Sequence, residues 1–314
     1  MKQNKRRARL PLIFVAALAA CEADRTAADV AVQCAPAMKT TVAERVALPG
    51  GEFSMGDARG YPEERPVRTV SVEPFAIDRT EVTNRRFREF IDATGYVTLA
   101  ERRPDPLLHP DIPPERLVPG SAVFVAPLGS GSPQWWRFVE GAHWRAPEGP
   151  GSSIQDRLDH PVVHIAYEDA RAFARWAGGA LPTEAQWEYA ARGGLASARY
   201  EWGEEHPDKG APKANTWQGA FPLQNSGADG FVGTAPVGCY AANGFGLHDM
   251  TGNVWEWTST QFNPEDDNAG TIKGGSYLCA ENYCRRFRPA ARHPHERDFS
   301  TSHVGFRVVY ASRE

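Results

Sequence analysis

The sequence predicts one α+β domain over residues 46–314, irregular and loop-rich, with few short helices and short antiparallel strands. Three observations predict it. Gly (29) and Pro (25) are plentiful, which calls for many turns and keeps regular elements brief. Aromatic residues make up 11% of the chain, enough to build a core from large rings rather than long helices. Helical apolar spacing is confined to three short segments, and the alternating segments are equally short. At 314 residues the chain could hold one large domain or two. Past Val46, however, no internal repeat or low-complexity linker divides it. A net charge of −4 offers no electrostatic footprint for nucleic acid.

In chain order, Phe53-Ser54-Met55-Gly56 and Val67-Arg68-Thr69-Val70-Ser71-Val72 alternate like strands. Thr83 is placed to cap a helix with Phe87, Phe90 and Ile91 on one face, ended by Gly95. Residues 101–160 are Pro-rich and irregular, and carry Trp135, Trp136 and Trp144. A second helix runs from Tyr167 to Ala177 and stops at Gly178-Gly179. Thr183-Glu184-Ala185-Gln186 is a capping box opening a third helix through Tyr189. Residues 199–314 read as loops and short strands.

The N-terminus reads as a targeting segment. A basic stretch to Arg9 precedes an apolar run, Leu10 to Ala20, far shorter than the roughly 20 residues of a membrane span. Leu18-Ala19-Ala20-Cys21 is similar to the lipobox of bacterial lipoproteins, with the lipid on Cys21; plain cleavage after an Ala-x-Ala-like site is the alternative. Residues 1–20 are thus a signal peptide, and residues 21–45 a flexible tether containing Cys34. The expected location is the bacterial cell envelope, on a periplasmic or extracellular face, with the lipid as the sole membrane contact. That compartment is oxidising, so any cysteine pair there is a disulfide candidate.

Cys279 and Cys284 form such a pair, close together in a Gly- and Tyr-rich loop. A structural staple, a two-thiolate site for Cu(I) and a redox couple all fit the spacing. Zinc lacks a second cysteine pair, and His293-Pro294-His295 beside Glu296 reads as a solvated loop. Asn215, Asp229, Asp249, Asn253 and Glu256 fall in Gly-rich loops; oxygen ligands there suit Ca2+, although Asn and Asp are also ordinary turn formers. His160 and His164 are read as one face of a strand, a hydrogen-bonded pair rather than a metal site. No nucleophile elbow or phosphate loop is present in the sequence.

The landmarks together resemble the formylglycine-generating enzymes, or sulfatase-modifying factors, over nearly all of residues 46–314. They include Gly50-Gly51-Glu52-Phe53-Ser54-Met55-Gly56, Leu181-Pro182-Thr183-Glu184, Gly252-Asn253-Val254-Trp255-Glu256-Trp257, the cysteine loop from Gly274, and Gly305-Phe306-Arg307. The resemblance implies a C-type-lectin-like fold. It implies oxidation of one cysteine in a Cys-x-Pro-x-Arg segment of an unfolded or nascent sulfatase polypeptide to Cα-formylglycine. O2 and a thiol or other reductant would be consumed by a monomer. Cys279 and Cys284 would hold Cu(I), with Ser276 and Trp255 beside them where the family places oxygen, and Arg292, Ser300 and His303 would face the peptide. Two structural Ca2+ sites would fall on Asn215, Thr216, Asp229 and Phe231, and on Asp249, Gly252, Val254 and Glu256. Thr216, Phe231, Gly252 and Val254 would contribute carbonyls.

Two positions depart from the pattern and border the expected cleft. His303 stands where Asn is frequent, and Ala280 where His is frequent. Cys239 has no counterpart; a buried free thiol is one reading, and a reach to Cys34 is left open. A non-catalytic, surface-anchored binding module on the same scaffold is the competing reading, separated by the presence of the cysteine pair. An iron-dependent sulfoxide synthase would need histidines from an added N-terminal helical domain, for which residues 22–44 are too short.

Overall fold

The computed structural model describes residue 34 and residues 44–107, 109–127, 134–207 and 209–312. These belong to one compact unit, Val32–Glu314. The targeting segment, Cys21 and most of the tether lie outside the described residues.

Among the described residues, three α-helices and eleven short strands carry the domain. The strands are β1 (Arg45–Leu48), β2 (Gly51–Met55), β3 (Arg68–Val72), β4 (Phe75–Asp78), β5 (Gly120–Phe124) and β6 (Trp136–Glu140), followed by β7 (Trp255–Gln261), β8 (Ala269–Lys273), β9 (Arg292–Glu296), β10 (Val304–Gly305) and β11 (Val309–Ala311). The helices are α1 (Asn84–Thr94), α2 (Tyr167–Trp176) and α3 (Glu184–Arg192). Two sheets organise them, in the orders β1-β4-β11 and β10-β7-β8-β9, beside the pairs β2-β3 and β5-β6. All pairings are antiparallel except β10 with β7.

The helix signals act as expected. Thr83 Oγ1 accepts from the Arg86 N–H, and Gly95 closes α1 in the left-handed region. The Thr183–Gln186 box opens α3 with reciprocal bonds of 3.1 and 2.9 Å. This helix runs three residues past Tyr189, because Ala190, Ala191 and Arg192 sustain it until Gly193, at φ 57°, supplies the stop. Residues 101–160 are less irregular than their prolines suggest, since β5 and β6 pair across them.

The core is built of rings. Phe87 stacks on Phe173 at 5.8 Å and meets Trp144 and Phe306 edge-on, all four fully buried. Buried charges tie the helices to the sheet. Lys273 Nζ, at the end of β8, donates to Glu188 Oε2 of α3 at 3.1 Å, and Arg192 Nη2 to Glu188 Oε1 at 2.7 Å.

Three expectations are corrected. His160 and His164 do not share a strand. His164 sits at φ 61°, and the two bond to different partners: His160 Nδ1 to Thr234 Oγ1, His164 to Ser121 Oγ and the Pro147 carbonyl. Burial pushes each imidazole down to about 4. His293-Pro294-His295 is not a solvated loop but the edge strand β9, where a proline is tolerated because no further strand needs its N–H. Cys239 is not a free thiol, since it forms a disulfide with Cys34 across 205 residues.

Candidate active site

Gly274 and Gly275 end β8 with φ of 92° and 77°, turning the chain into the cysteine loop. A Cβ on Gly275 would lie 2.9 Å from the Phe287 backbone nitrogen, so only glycine fits this close approach. Backbone bonds from Tyr283 and Cys284 to the Ala280 carbonyl, at 3.1 and 3.0 Å, fold the loop back on itself. The result places Cys284 Sγ 3.1 Å from Cys279 Sγ. That is well beyond the roughly 2.05 Å of a disulfide, and both thiols are free. Among the described residues the cross-link is the Cys34–Cys239 bond instead.

The two thiols differ. Cys279 is buried, and desolvation together with its partner pushes it well above the usual thiol value. Cys284 is lowered to about 7, first by the hydrogen bond from Cys279 and then by the Arg286 guanidinium. Arg286 is anchored by Glu63 at 2.6 Å and lies over the Tyr61 ring. Sequence reasoning did not find Arg286; a cation two residues after a reactive cysteine was the available signal.

The pair opens into a cleft of about 630 Å3, a size that suits a small ligand or a peptide segment. Ser276, Trp255 and His303 line it. Ser276 is fully buried, and its Oγ accepts from the Leu278 N–H. Trp255 opens β7 and donates its N–H to the His303 carbonyl at 2.9 Å. Trp135, Phe221 and Tyr283 add an aromatic wall, with Phe221 and Tyr283 stacked at 4.2 Å and Trp135 edge-on to both. His293 and His295 line the opposite strand, β9. Burial pushes their imidazoles and that of His303 down, which keeps them neutral near pH 7.

Other expected positions lie apart. Ser300 shares a hydrogen bond with Ser121 and lines a neighbouring cavity of about 780 Å3; Phe299 lines both spaces. Arg292 pairs with Glu184 at 2.9 Å and is not among the cleft-lining residues. Ala280 does not border the cleft, because it is buried against Trp217, Tyr277 and Leu278.

The oxygen-rich loops hold the cysteine loop from beneath. The Trp217 N–H donates to the Cys279 carbonyl, Tyr277 N–H to the Asn253 carbonyl, and Asn253 N–H to the Asn215 carbonyl, each at 2.9 Å. The first set fits a hard cation: Asn215 Oδ1 is buried without a partner, and the buried Asp229 carboxyl is pushed up by desolvation. The second set fits less well. Both Glu256 oxygens accept from Arg307 at 2.7 Å, and Trp187 Nε1 adds a third bond. Asp249 Oδ2 accepts from the Gly238 N–H at 2.6 Å. The unpartnered carboxylate oxygens near this loop belong to Glu81 and Glu201. Both carboxyls are pushed up by burial, Glu201 to about 8.

Comparison with known proteins bears on this geometry. Residues 31–312 match the family model described as the sulfatase-modifying factor enzyme 1-like domain. The chain belongs to that family. It is 52% identical over 291 residues to a formylglycine-generating enzyme of Mycobacterium tuberculosis, covering 85% of this chain and 97% of the relative. It is 49% identical over 286 residues to one from Thermomonospora curvata, covering 84% and 92%. PvdO of Pseudomonas aeruginosa has the same fold, with a TM-score of 0.62 at 23% identity over 91% of this chain and all of that one. The family's loop-rich α+β architecture is therefore the one this chain adopts.

Proposed function

We propose that this chain oxidises one cysteine of a sulfatase polypeptide, within a Cys-x-Pro-x-Arg segment, to Cα-formylglycine. The observation that carries the reading is the pair of free thiols, 3.1 Å apart, at the base of an open cleft on this family's fold. Turning –CH2SH into –CHO removes two electrons from the substrate and releases sulfide. O2 takes up four, so a thiol or other reductant supplies two more, and water leaves.

The donor set is two soft thiols, and no group of three Asp, Glu, His or Cys side chains suited to a metal occurs among the described residues. Cys279 and Cys284 would therefore hold Cu(I), which soft sulfur ligands select. When bound, copper supplies the O2 chemistry that a strong Cβ–H bond requires. The protein's own residues do the rest. Cys284, lowered by Cys279 and Arg286, gives up its proton near neutral pH. Ser276 and Trp255 wall the space beside the thiols, and the rings of Trp135, Phe221 and Tyr283 offer a face for an extended peptide. Neutral histidines on the far wall impose no repulsion on a substrate arginine.

The Ca2+ reading of the oxygen-rich loops belongs to the same proposal, with the ions acting as pins beneath the cysteine loop. Export and a lipid on Cys21 do as well. The Cys34–Cys239 disulfide supports an oxidising compartment.

The test is Cu(I) titration against a chromogenic chelator, with Cys279→Ser and Cys284→Ser as variants. Each variant is expected to lose high-affinity binding and turnover together. High-affinity binding retained in both would refute the copper assignment.

A further inference from the structure

Ser300 has its hydroxyl held from behind. Phe299 and Thr301, on either side of it, line the cleft, and Ser300 itself lines the adjoining cavity. The stretch is zipped to β5: the Ala122 N–H donates to the Ser300 carbonyl at 3.2 Å, and the Ser302 N–H to the Ala122 carbonyl at 2.9 Å. Ser121 Oγ then lies 2.7 Å from both Oγ and the carbonyl oxygen of Ser300, and 2.8 Å from Nδ1 of His164. Ser121, His164 and Ser300 are 1, 0 and 2% exposed.

The protons along this row of atoms can be assigned. His164 Nε2 lies 2.8 Å from the Pro147 carbonyl, which can only accept, so Nε2 carries a proton. The buried ring is neutral near pH 7, which leaves Nδ1 bare. The single hydroxyl proton of Ser121 therefore faces two groups that only accept, Nδ1 and the Ser300 carbonyl. Whichever takes it, none is left for Ser300 Oγ. The contact between the two hydroxyls is thus a bond that Ser300 donates. Turning that proton outward would leave two buried oxygens 2.7 Å apart with no proton between them. The row is kept against a steric cost. His164 holds a φ of 61°, in the left-handed region that histidine rarely adopts, and its N–H donates to the Thr301 carbonyl at 2.9 Å.

We propose that Ser121, backed by His164, is a positioning residue that fixes Ser300 Oγ as a hydrogen-bond acceptor, and that the bound polypeptide supplies an N–H donor to it. The donor belongs either to the peptide main chain or to the arginine of the Cys-x-Pro-x-Arg segment. A hydroxyl free to turn would take N–H or C=O alike. A fixed acceptor rejects C=O, which sets the register of the chain in the cleft. The inference rests on reading the cleft as a polypeptide site.

Binding of a Ser-x-Pro-x-Arg peptide to the full chain, followed by calorimetry, tests it; serine in place of the target cysteine prevents reaction. Main-chain amides are replaced one at a time by esters, which removes an N–H without adding bulk, and in a separate peptide norleucine replaces arginine. One replacement is expected to cost wild type about tenfold more affinity than it costs Ser300→Ala. An ester in that place names the main chain as the source, and norleucine names the arginine. For Ser121→Ala the excess should shrink to about threefold, because the freed Ser300 hydroxyl can turn. Ser121→Thr keeps the hydroxyl and should restore the excess. Ser121→Cys and Ser300→Cys, whose sulfur is a weak hydrogen-bonding atom, cover Ala variants that do not fold and should behave like them. A wild type that binds no peptide, or no replacement with an excess over Ser300→Ala, would overturn the contact. An undiminished excess in Ser121→Ala would overturn the positioning role. A copper-loaded chain that shows the expected pattern but leaves the cysteine peptide unoxidised would end the oxidase reading and leave this inference standing.

Discussion

Cys279 first, and Arg286 after it, lower the Cys284 thiol and so shape how the site responds to pH. Metal binding at Cys284 requires loss of a proton, and the thiol sits at about 7 rather than its ordinary value of 9.0. As pH falls below about 7, the proton competes with the metal, and Cu(I) affinity should drop by up to about tenfold per pH unit. Arg286→Leu removes the guanidinium, so the Cys284 value rises and the falling limb should move to higher pH. A pH profile of Cu(I) affinity reads this directly; identical limbs in both proteins would refute the role given to Arg286. Legibility at this scale was uneven. Cys279 and Cys284 stood out as a close pair in a short loop, while Ser276 and Trp255 came into view only through the family resemblance. His293 and His295 were not readable, because their role depends on β9 pairing with β8, a contact no local pattern announces. Arg292 was read toward the cleft but spends its charge on Glu184, a residue more than a hundred positions earlier.

The elements are held by charge as well as by rings. Lys273, fully buried at the last position of β8, bonds to Glu188 of α3 and to the Ala290 carbonyl. It also directly precedes the glycines that start the cysteine loop. Lys273→Met would leave Glu188 buried with only Arg192 to answer it. The expected cost is about 3–5 kcal/mol, measured as a lower midpoint in urea unfolding with the slope unchanged. A variant as stable as wild type would mean that the ion network is not what docks α3. Capped helices were legible because Thr83, Thr183 and Gly95 act within one turn of the chain, whereas the stop of α3 at Gly193 was missed. The β5–β6 pair was hidden by the prolines around it, and the parallel β10–β7 contact by its two-residue length.

The whole molecule joins a distant cysteine to a domain in which Cys279 and Cys284 remain free. Cys34 and Cys239 lie 205 residues apart, so neither spacing nor motif could pair them. Replacing both by Ser should lower stability by about 2–5 kcal/mol, the usual cost of removing a native disulfide. Thermal unfolding measures the loss, while Cu(I) affinity stays unchanged because the active pair is separate. Aromatic abundance foretold the ring-built core, since a chain of short elements has little else to bury. The central claim is that Cys279 and Cys284 would hold Cu(I), and that O2 is the oxidant that converts the substrate cysteine to an aldehyde. Full-length protein loaded with Cu(I), given a reductant, O2 and a Cys-x-Pro-x-Arg peptide, tests it by mass spectrometry of the peptide. The predicted result is a product whose –CH2SH has become an aldehyde that an aminooxy reagent captures, absent with Cys279→Ser or Cys284→Ser. Peptide recovered with unchanged mass from the copper-loaded wild type would contradict it.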